Sequence, residues 1–381
     1  MSILPKKKTA APRFIGSEIY RRSRLLGRHP LRVPRVSTVI DLSRAMGWLP
    51  GEVYLTSPRA KPHALEVWHR PDYIAALLKA EATQAVSEAD RARYEIGTAS
   101  NPVYPEIFRR PATAAGGSML AGRLLAQSGV VYHPAGGTHH GMPARANGFC
   151  FLNDPVLAML SLRHHGVERI AYVDIDAHHC DGVAVGFSGD PACLMISVHE
   201  EGLWPRTGTL EDDAGGSGLN LPVPRGLNDT EMSFILDRLI LPAVQAFRPD
   251  AVVLQCGADA VEEDPLAHLS LSNAAHWGVV RALQAAAPRY LVLGGGGYNP
   301  WSVGRLWTGV WATLNGIEMP DRLPPEGEAV LRGLSFPGDR RGRNPPAHWF
   351  TTIKDTGRPG AVRPEIRDRV ARLADRLRAA A

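Results

Sequence analysis

Four short, almost uninterrupted apolar runs constrain this chain most: IAYVDI at 170–175, LMISV at 194–198, AVVL at 251–254 and YLVL at 290–293. A strand with one wet face alternates apolar and polar residues, whereas a strand covered on both faces reads as a continuous apolar run. Helix-like stretches separate these runs. Asn153-Asp154-Pro155 offers an N-cap and a proline in the first turn, for a helix over 156–165 that Gly166 closes. Asn228, with Glu231 three residues on, opens an amphipathic run through Ile235, Leu239 and Val244 to Phe247. Ser272-Asn273 opens another that ends before Pro288. Strand and helix in alternation predict an α/β fold: one domain, with a central parallel β-sheet and helices on both faces.

Residues 1–12 (MSILPKKKTAAP) read as a flexible basic tail and 13–381 as the single α/β domain. Within it, the Pro/Gly/Arg-rich stretch 323–360 is predicted to wrap the surface. Pro364–Ala380 is predicted as a closing helix with Ile366, Val370 and Leu373 on its apolar side. Trp307 and Trp311, one helical turn apart with Val303 and Leu314, read as helix core, and His164-His165 as an exposed helix end. At 44% hydrophobic residues the chain can bury a substantial core. Lys+Arg 43 against Asp+Glu 38 leaves a net charge of +5, concentrated near the two ends, which does not make a nucleic-acid-binding stripe. No apolar run approaches the ~18 residues of a membrane span, so no membrane partner is expected. Cys150, Cys180, Cys193 and Cys256 lack CxxC spacing, which favours a reducing, cytoplasmic setting. They read as small buried hydrophobes, with Cys180 close enough to the residues below to be weighed as a reactive thiol.

The chemistry gathers at the carboxyl ends of the predicted strands. In IAYVDIDAHHCDG, Asp176 and His178 are two residues apart, so an extended chain projects both to one side. Asp259 follows AVVLQCGAD in the same relative place, and open parallel sheets bind ligands at that edge. Two carboxylates and one imidazole leave coordination positions open, which suits a catalytic Zn²⁺ or Fe²⁺ and not a closed structural site. An Asp at a strand end is also a common helix cap or loop former, and an isolated D-x-H is a weak signal. Three neighbours strengthen it. His139-His140 stand in tandem in the small-residue loop PAGGTHHG. Asp174 and Asp181 bracket the candidate ligands and can orient imidazoles through their second nitrogen. The glycines 294–297 permit close backbone approach ahead of Tyr298, whose phenol can donate to a substrate oxygen.

The runs HPAGGTHHGMPARANGFCFLNDPVLAML, VDIDAHHCDGV, VVLQCGADAVEEDPL and LGGGGYNPWSVGRLW, in that order, resemble the zinc-dependent histone deacetylase family. Their pattern is similar to the class I and bacterial acetoin-utilisation branch, from HPLRVPR at His29 to about Leu314. The resemblance implies an arginase/deacetylase-like fold and hydrolysis of an N-acetyl amide. It implies Asp176, His178 and Asp259 as zinc ligands, with Fe²⁺ the alternative metal. His140 becomes the general base and acid and His139 its electrostatic partner, with Asp174 orienting His139 and Asp181 orienting His140. Tyr298 would polarise the acetyl carbonyl. Gly148, Phe149, Trp204, Leu266 and Gly296 would line a narrow acyl-lysine tunnel, and Arg35 an acetate-release channel. A structural K⁺ is implied at Asp174, Asp176, His178, Ser197 and Val198, with a second near Phe187.

The sequence departs from that family in places. Ser100, in IGTASNPVYP, stands where class I members carry an acid that grips a peptide backbone, and a hydroxyl cannot replace charge-assisted bonds to two N–H groups. Cys180 replaces a glycine, and Leu203-Trp204-Pro205-Arg206 differs from the Phe-rich mouth. The expected function is removal of acetyl or other acyl groups from lysine ε-amines in proteins or peptides. Alternatives are deacetylation of acetylpolyamines or other small acylated amines, and a non-catalytic acetyl-lysine-binding module. A manganese ureohydrolase on the related fold would need a second D-x-D pair, and GADAVEEDP supplies only Asp259 at the ligand position. Oligomeric state is left open.

Overall fold

A computed structural model describes residues 11–21, 29–337 and 339–380. The predicted tail therefore lies outside the described residues, except for its last two. Among the described residues, eight strands form one sheet in which every paired neighbour runs parallel. They are β1 (Arg13–Gly16), β2 (Tyr54–Thr56), β3 (Gly129–His133), β4 (Ile170–Asp174), β5 (Cys193–Glu200), β6 (Gly218–Val223), β7 (Ala251–Gln255) and β8 (Arg289–Leu293), in the spatial order β2-β1-β3-β8-β7-β4-β5-β6.

The two-sided burial read from the apolar runs is visible residue by residue. In β4, Ala171 and Val173 enter one core while Ile170 and Tyr172 enter the other; in β8, Tyr290 and Val292 part from Leu291 and Leu293 in the same way. The first core packs under the helices Val36–Ala45, Asn273–Leu283, Pro300–Leu314 and Pro364–Ala380; the second packs under Arg109–Leu124, Asp154–His164 and Asp181–Phe187. A third cluster joins Pro71–Thr83 and Glu88–Tyr94 to the outer side of Arg109–Leu124.

The caps follow the sequence. Asn153 accepts from the Val156 N–H, and Asn228 and Glu231 form a reciprocal capping box. Trp307 and Trp311 are fully buried and donate to the carbonyls of Cys256 and Trp48. Ile366, Val370 and Leu373 are buried as expected.

Some elements differ from the reading. The run after Asn228 is not one regular helix: Asp229–Ile235 passes through a π-turn at Leu236–Ile240 before Leu241–Phe247. Pro242, which lacks an N–H, sits at the start of that last piece and accounts for the slip in the ladder. The 323–360 wrap contains helices of its own, Pro325–Arg332 and His348–Thr351. No described helix is long and apolar enough to cross a membrane.

Candidate metal and acyl-transfer site

Loops leaving the carboxyl ends of β3, β4, β5, β7 and β8 build the site. Past β4, Asp176 and His178 project to the same side, and Asp259 reaches them from the loop after β7. His178 Nδ1 lies 3.1 Å from Asp176 Oδ1 and 3.0 Å from Asp259 Oδ2. One ligand atom from each of the three residues falls within 4.8 Å of the others. The carboxylates are held by backbone: Gly296 N–H donates to Asp176 Oδ2 at 2.7 Å, and Ala177 N–H to Asp259 Oδ1 at 3.0 Å. Two buried carboxylates facing one ring nitrogen across hydrogen-bond distances make a donor set that a small divalent cation fits.

The tandem histidines sit beside this set. His139 Nδ1 lies 2.8 Å from Asp174 Oδ2, His140 Nδ1 lies 2.6 Å from Asp181 Oδ1, and the two Nε2 atoms face each other at 3.0 Å. Each acid has a further anchor: Tyr172 donates to Asp174 at 2.6 Å, and Asn147 to Asp181 at 2.9 Å. Burial pulls the partners of the Asp174–His139 bond in opposite senses, raising the carboxyl and lowering the imidazole. Asp174, Asp176 and Asp181 together overcome burial at His139 and hold it up to about 9. Burial and then the charge on His139 push His140 down to about 3, against the pull of Asp181. The surrounding acids thus favour the cationic form of His139, and burial beside it favours the neutral form of His140. With Nδ1–H committed to Asp181, the lone pair of His140 is on Nε2, where it faces the Nε2 of His139 at 3.0 Å.

Tyr298 is 7% exposed, and burial pushes its phenol further up, so it stays a neutral donor. Its backbone N–H donates to Asp264 Oδ2 at 2.7 Å, while the other oxygen of that carboxyl accepts from Leu266 N–H at 2.8 Å. Asp264 thereby ties the Tyr298 loop to the loop carrying Leu266. Sequence reasoning missed Asp264, and also Asn147 and Tyr172. Tyr172 shares the Asp174 face at i and i+2, a signal that was available, whereas Asp264 and Asn147 acquire their roles only through tertiary contact.

Gly296 lines the small cavity, about 40 Å³, together with His140, Gly148, Phe149, Asp176, His178 and Tyr298. Phe149 holds a φ of 68° with its N–H on Asn101, and its ring stands 6.0 Å from that of Tyr298. Trp204 is 41% exposed and lays its ring edge-on to His140 at 4.6 Å. A Cβ on Gly148 would meet the Trp204 ring at 2.2 Å, so glycine is what lets the indole approach. Leu266 is set outward, on a neighbouring cavity that shares Tyr298. Arg35 donates to Gly295 O at 2.7 Å and opens onto an inner cavity of about 90 Å³ that Tyr20, Tyr104 and Phe151 also line. Ser197 is in register with Asp174 across β4 and β5, its hydroxyl 2.9 Å from His199 Nδ1, and Val198 is buried beside it. Ser100 is exposed, its carbonyl 3.2 Å from His29 Nε2. Cys180 does not suit a reactive thiol: it is 1% exposed and burial pushes it well up. His164 is exposed as read, and His165 folds back onto Ser161 O at 2.7 Å.

Comparison with known proteins matches residues 29–314 to the histone deacetylase domain. The chain is 31% identical over 328 residues to the acetoin utilization protein AcuC of Bacillus subtilis (strain 168), spanning 82% of this chain and 84% of that protein. It is 32% identical over 307 residues to histone deacetylase 1 of Homo sapiens, spanning 78% of this chain and 63% of that one. Two crystal structures, an HDAC homolog complexed with SAHA and an HDAC homolog from Aquifex aeolicus, each superpose with a TM-score of 0.90 at 34% identity, covering 96% of this chain and all of theirs.

Proposed function

The chain belongs to the histone deacetylase family, and from that premise we propose that it is a zinc-dependent amidohydrolase that removes acetyl or other acyl groups from lysine ε-amines in proteins or peptides. The observation that carries this reading is the convergence of Asp176, His178 and Asp259 on one point, with a neutral, carboxylate-oriented His140 and a neutral Tyr298 bordering the same cavity. A divalent ion held by those three residues would supply Lewis-acid activation of the acyl carbonyl and of water. Zn²⁺ suits an open site of two oxygens and one nitrogen, and Fe²⁺ is the alternative.

His140 Nε2, which rests 3.0 Å from His139 Nε2, exchanges that contact for the attacking water and accepts its proton, while Asp181 keeps hold of the other ring nitrogen. Tyr298 donates to the oxygen on which negative charge grows as the carbonyl becomes tetrahedral. His140 then returns the proton to the departing amine, which leaves as the C–N bond breaks. The cationic His139, kept charged by its acidic neighbours, stabilises the negative charge passing through the site. Phe149 and Trp204 enclose the apolar stem of the acylated amine. A structural K⁺ is proposed at Asp174, Asp176, His178, Ser197 and Val198, and the pairing of Asp174 with Ser197 across β4 and β5 supports it. We also propose a cytoplasmic location, which the four buried, unpaired thiols suit.

A second reading, hydrolysis of acetylpolyamines or other small acylated amines, draws on Ser100, an exposed residue standing where class I members carry an acid. A matched panel tests both: kcat/KM for an acetyl-lysine peptide, free acetyl-lysine, an acetylpolyamine and longer acyl-lysines. A peptide preference of about tenfold, worth about 1.4 kcal/mol in the transition state, supports the protein-lysine reading. The reverse order supports the small-amine reading. Tight binding of all of them without turnover would make the chain a binding module instead.

A further inference from the structure

Beyond the candidate site, the described residues hold a second cavity of about 290 Å³ that shares Tyr298 with it. Val33, Leu266 and Tyr298 form one wall, while Ser335, Phe336 and Pro337 form the other. The second wall comes from the Pro/Arg-rich wrap, which lies outside the residues matched to the family domain. The wrap is tied to the catalytic loops. Arg341 donates to the carbonyl of Asp264 at 3.3 Å, and the carboxyl of that same residue holds the backbone of both Tyr298 and Leu266. On its inner side the Phe336 ring meets Trp301 edge-on at 6.5 Å. Wrap, Leu266 loop and Tyr298 loop are therefore joined through Asp264.

We propose that this cavity is a specificity subsite that receives an apolar side chain from the peptide residue adjoining the acyl-lysine, with Phe336 as its determining residue. The inference rests on the amidohydrolase reading and deepens it, by naming the substrate as a peptide with an apolar flank. The cavity borders the catalytic one at Tyr298, and eight of its twelve lining residues are aliphatic, proline or aromatic, with His29, Arg32, Ser335 and Asp339 as the polar remainder, so most of its surface rewards burial of a hydrocarbon. A substrate that ended at its amine stem would leave it unfilled.

The test compares three substrates: an acetyl-lysine peptide with leucine on either side, the same peptide with glycine there, and free acetyl-lysine. Wild-type protein is expected to prefer the leucine peptide over the glycine peptide by about tenfold in kcat/KM, the scale set by filling a hydrophobic pocket. Phe336→Ala removes a wall, and Ser335→Trp fills the space from an exposed position. Both are expected to bring the preference close to one while leaving free acetyl-lysine within about twofold of wild type. No preference in wild type, an unchanged preference in both variants, or an equal loss on all three substrates would overturn the subsite. If wild type hydrolyses none of them, the amidohydrolase reading fails by itself. The Kd of the two peptides then reads the cavity directly, and equal values overturn it.

Discussion

Substituting Gly296 by alanine isolates the geometry of the metal-binding set from backbone effects. Its φ lies outside the left-handed region, so alanine can adopt the backbone unchanged. The difficulty is space: a Cβ there would stand 2.1 Å from Asp259 Oδ2, 2.8 Å from its Cγ and 3.0 Å from Asp176 Oδ2. Ordinary contact begins near 3.4 Å, so the Asp259 oxygen must retreat by about 1.3 Å, well beyond the ~0.2 Å tolerance of a coordinated ligand. Asp259 cannot simply slide, because its other oxygen is fixed on the Ala177 N–H at 3.0 Å. Perturbing the support of a ligand typically costs 10–100-fold in metal affinity, about 1.4–2.8 kcal/mol, and a displaced ligand sits at the upper end. The assay is competition for Zn²⁺ against a fluorescent chelator, with thermal unfolding of the metal-stripped protein to establish that the fold is intact. Gly278→Ala is the matched control, since nothing lies within 4 Å of a Cβ there. A folded Gly296→Ala protein that bound Zn²⁺ as wild type does would refute the placement of Asp259 in the ligand set.

Asp264→Ala strips the acceptor from the backbone N–H groups of Tyr298 and Leu266, each costing about 1–3 kcal/mol if left buried and unpaired. The expected result is a fall in kcat with Zn²⁺ affinity unchanged, and loss of metal binding instead would show that the residue acts elsewhere. Asp174→Asn removes the carboxylate bonded to His139, whose proton is otherwise held up to about 9. Lowering that value means the cation is lost sooner as pH rises, so the alkaline limb of the kcat/KM profile should move to lower pH; a limb that stays in place contradicts the charge assignment. Asp355→Ala leaves the fully buried guanidinium of Arg305 without its ion pair. Breaking such a pair costs about 3–5 kcal/mol, read as a fall in the urea midpoint while turnover per folded molecule is unchanged, and a midpoint equal to wild type would show that the pair contributes nothing.

The central strands were legible because burial on both faces removes polar residues from them, leaving the runs at 170–175, 194–198, 251–254 and 290–293. The others gave weaker signals. β2 spans Tyr54–Thr56 at the sheet edge, none of its residues fully buried, and β6 carries Asn220 and Pro222 at the opposite edge, where a missing N–H leaves no ladder bond unpaired. Asp176 and His178 were candidates from local spacing, and Asp259 from the matching place after its strand, but that weak signal gained weight only from His139-His140, the bracketing Asp174 and Asp181, and the glycine run before Tyr298. Which histidine is cationic was not readable. That difference depends on three acids crowding His139 and one facing His140, a matter of distances across loops. Nor could composition show that Arg341 returns to the catalytic loops, because its contact with Asp264 joins positions 77 residues apart.

The central claim is that Asp176, His178 and Asp259 hold the ion on which amide hydrolysis depends. It is tested most directly by titrating Zn²⁺ into metal-stripped protein while following acetate release from an acetyl-lysine peptide. Activity should rise from baseline in proportion to metal and level off at about one ion per chain, and Asp259→Ala should stay at baseline throughout. Full activity in the stripped protein, or an Asp259→Ala protein that titrates as wild type does, would contradict it.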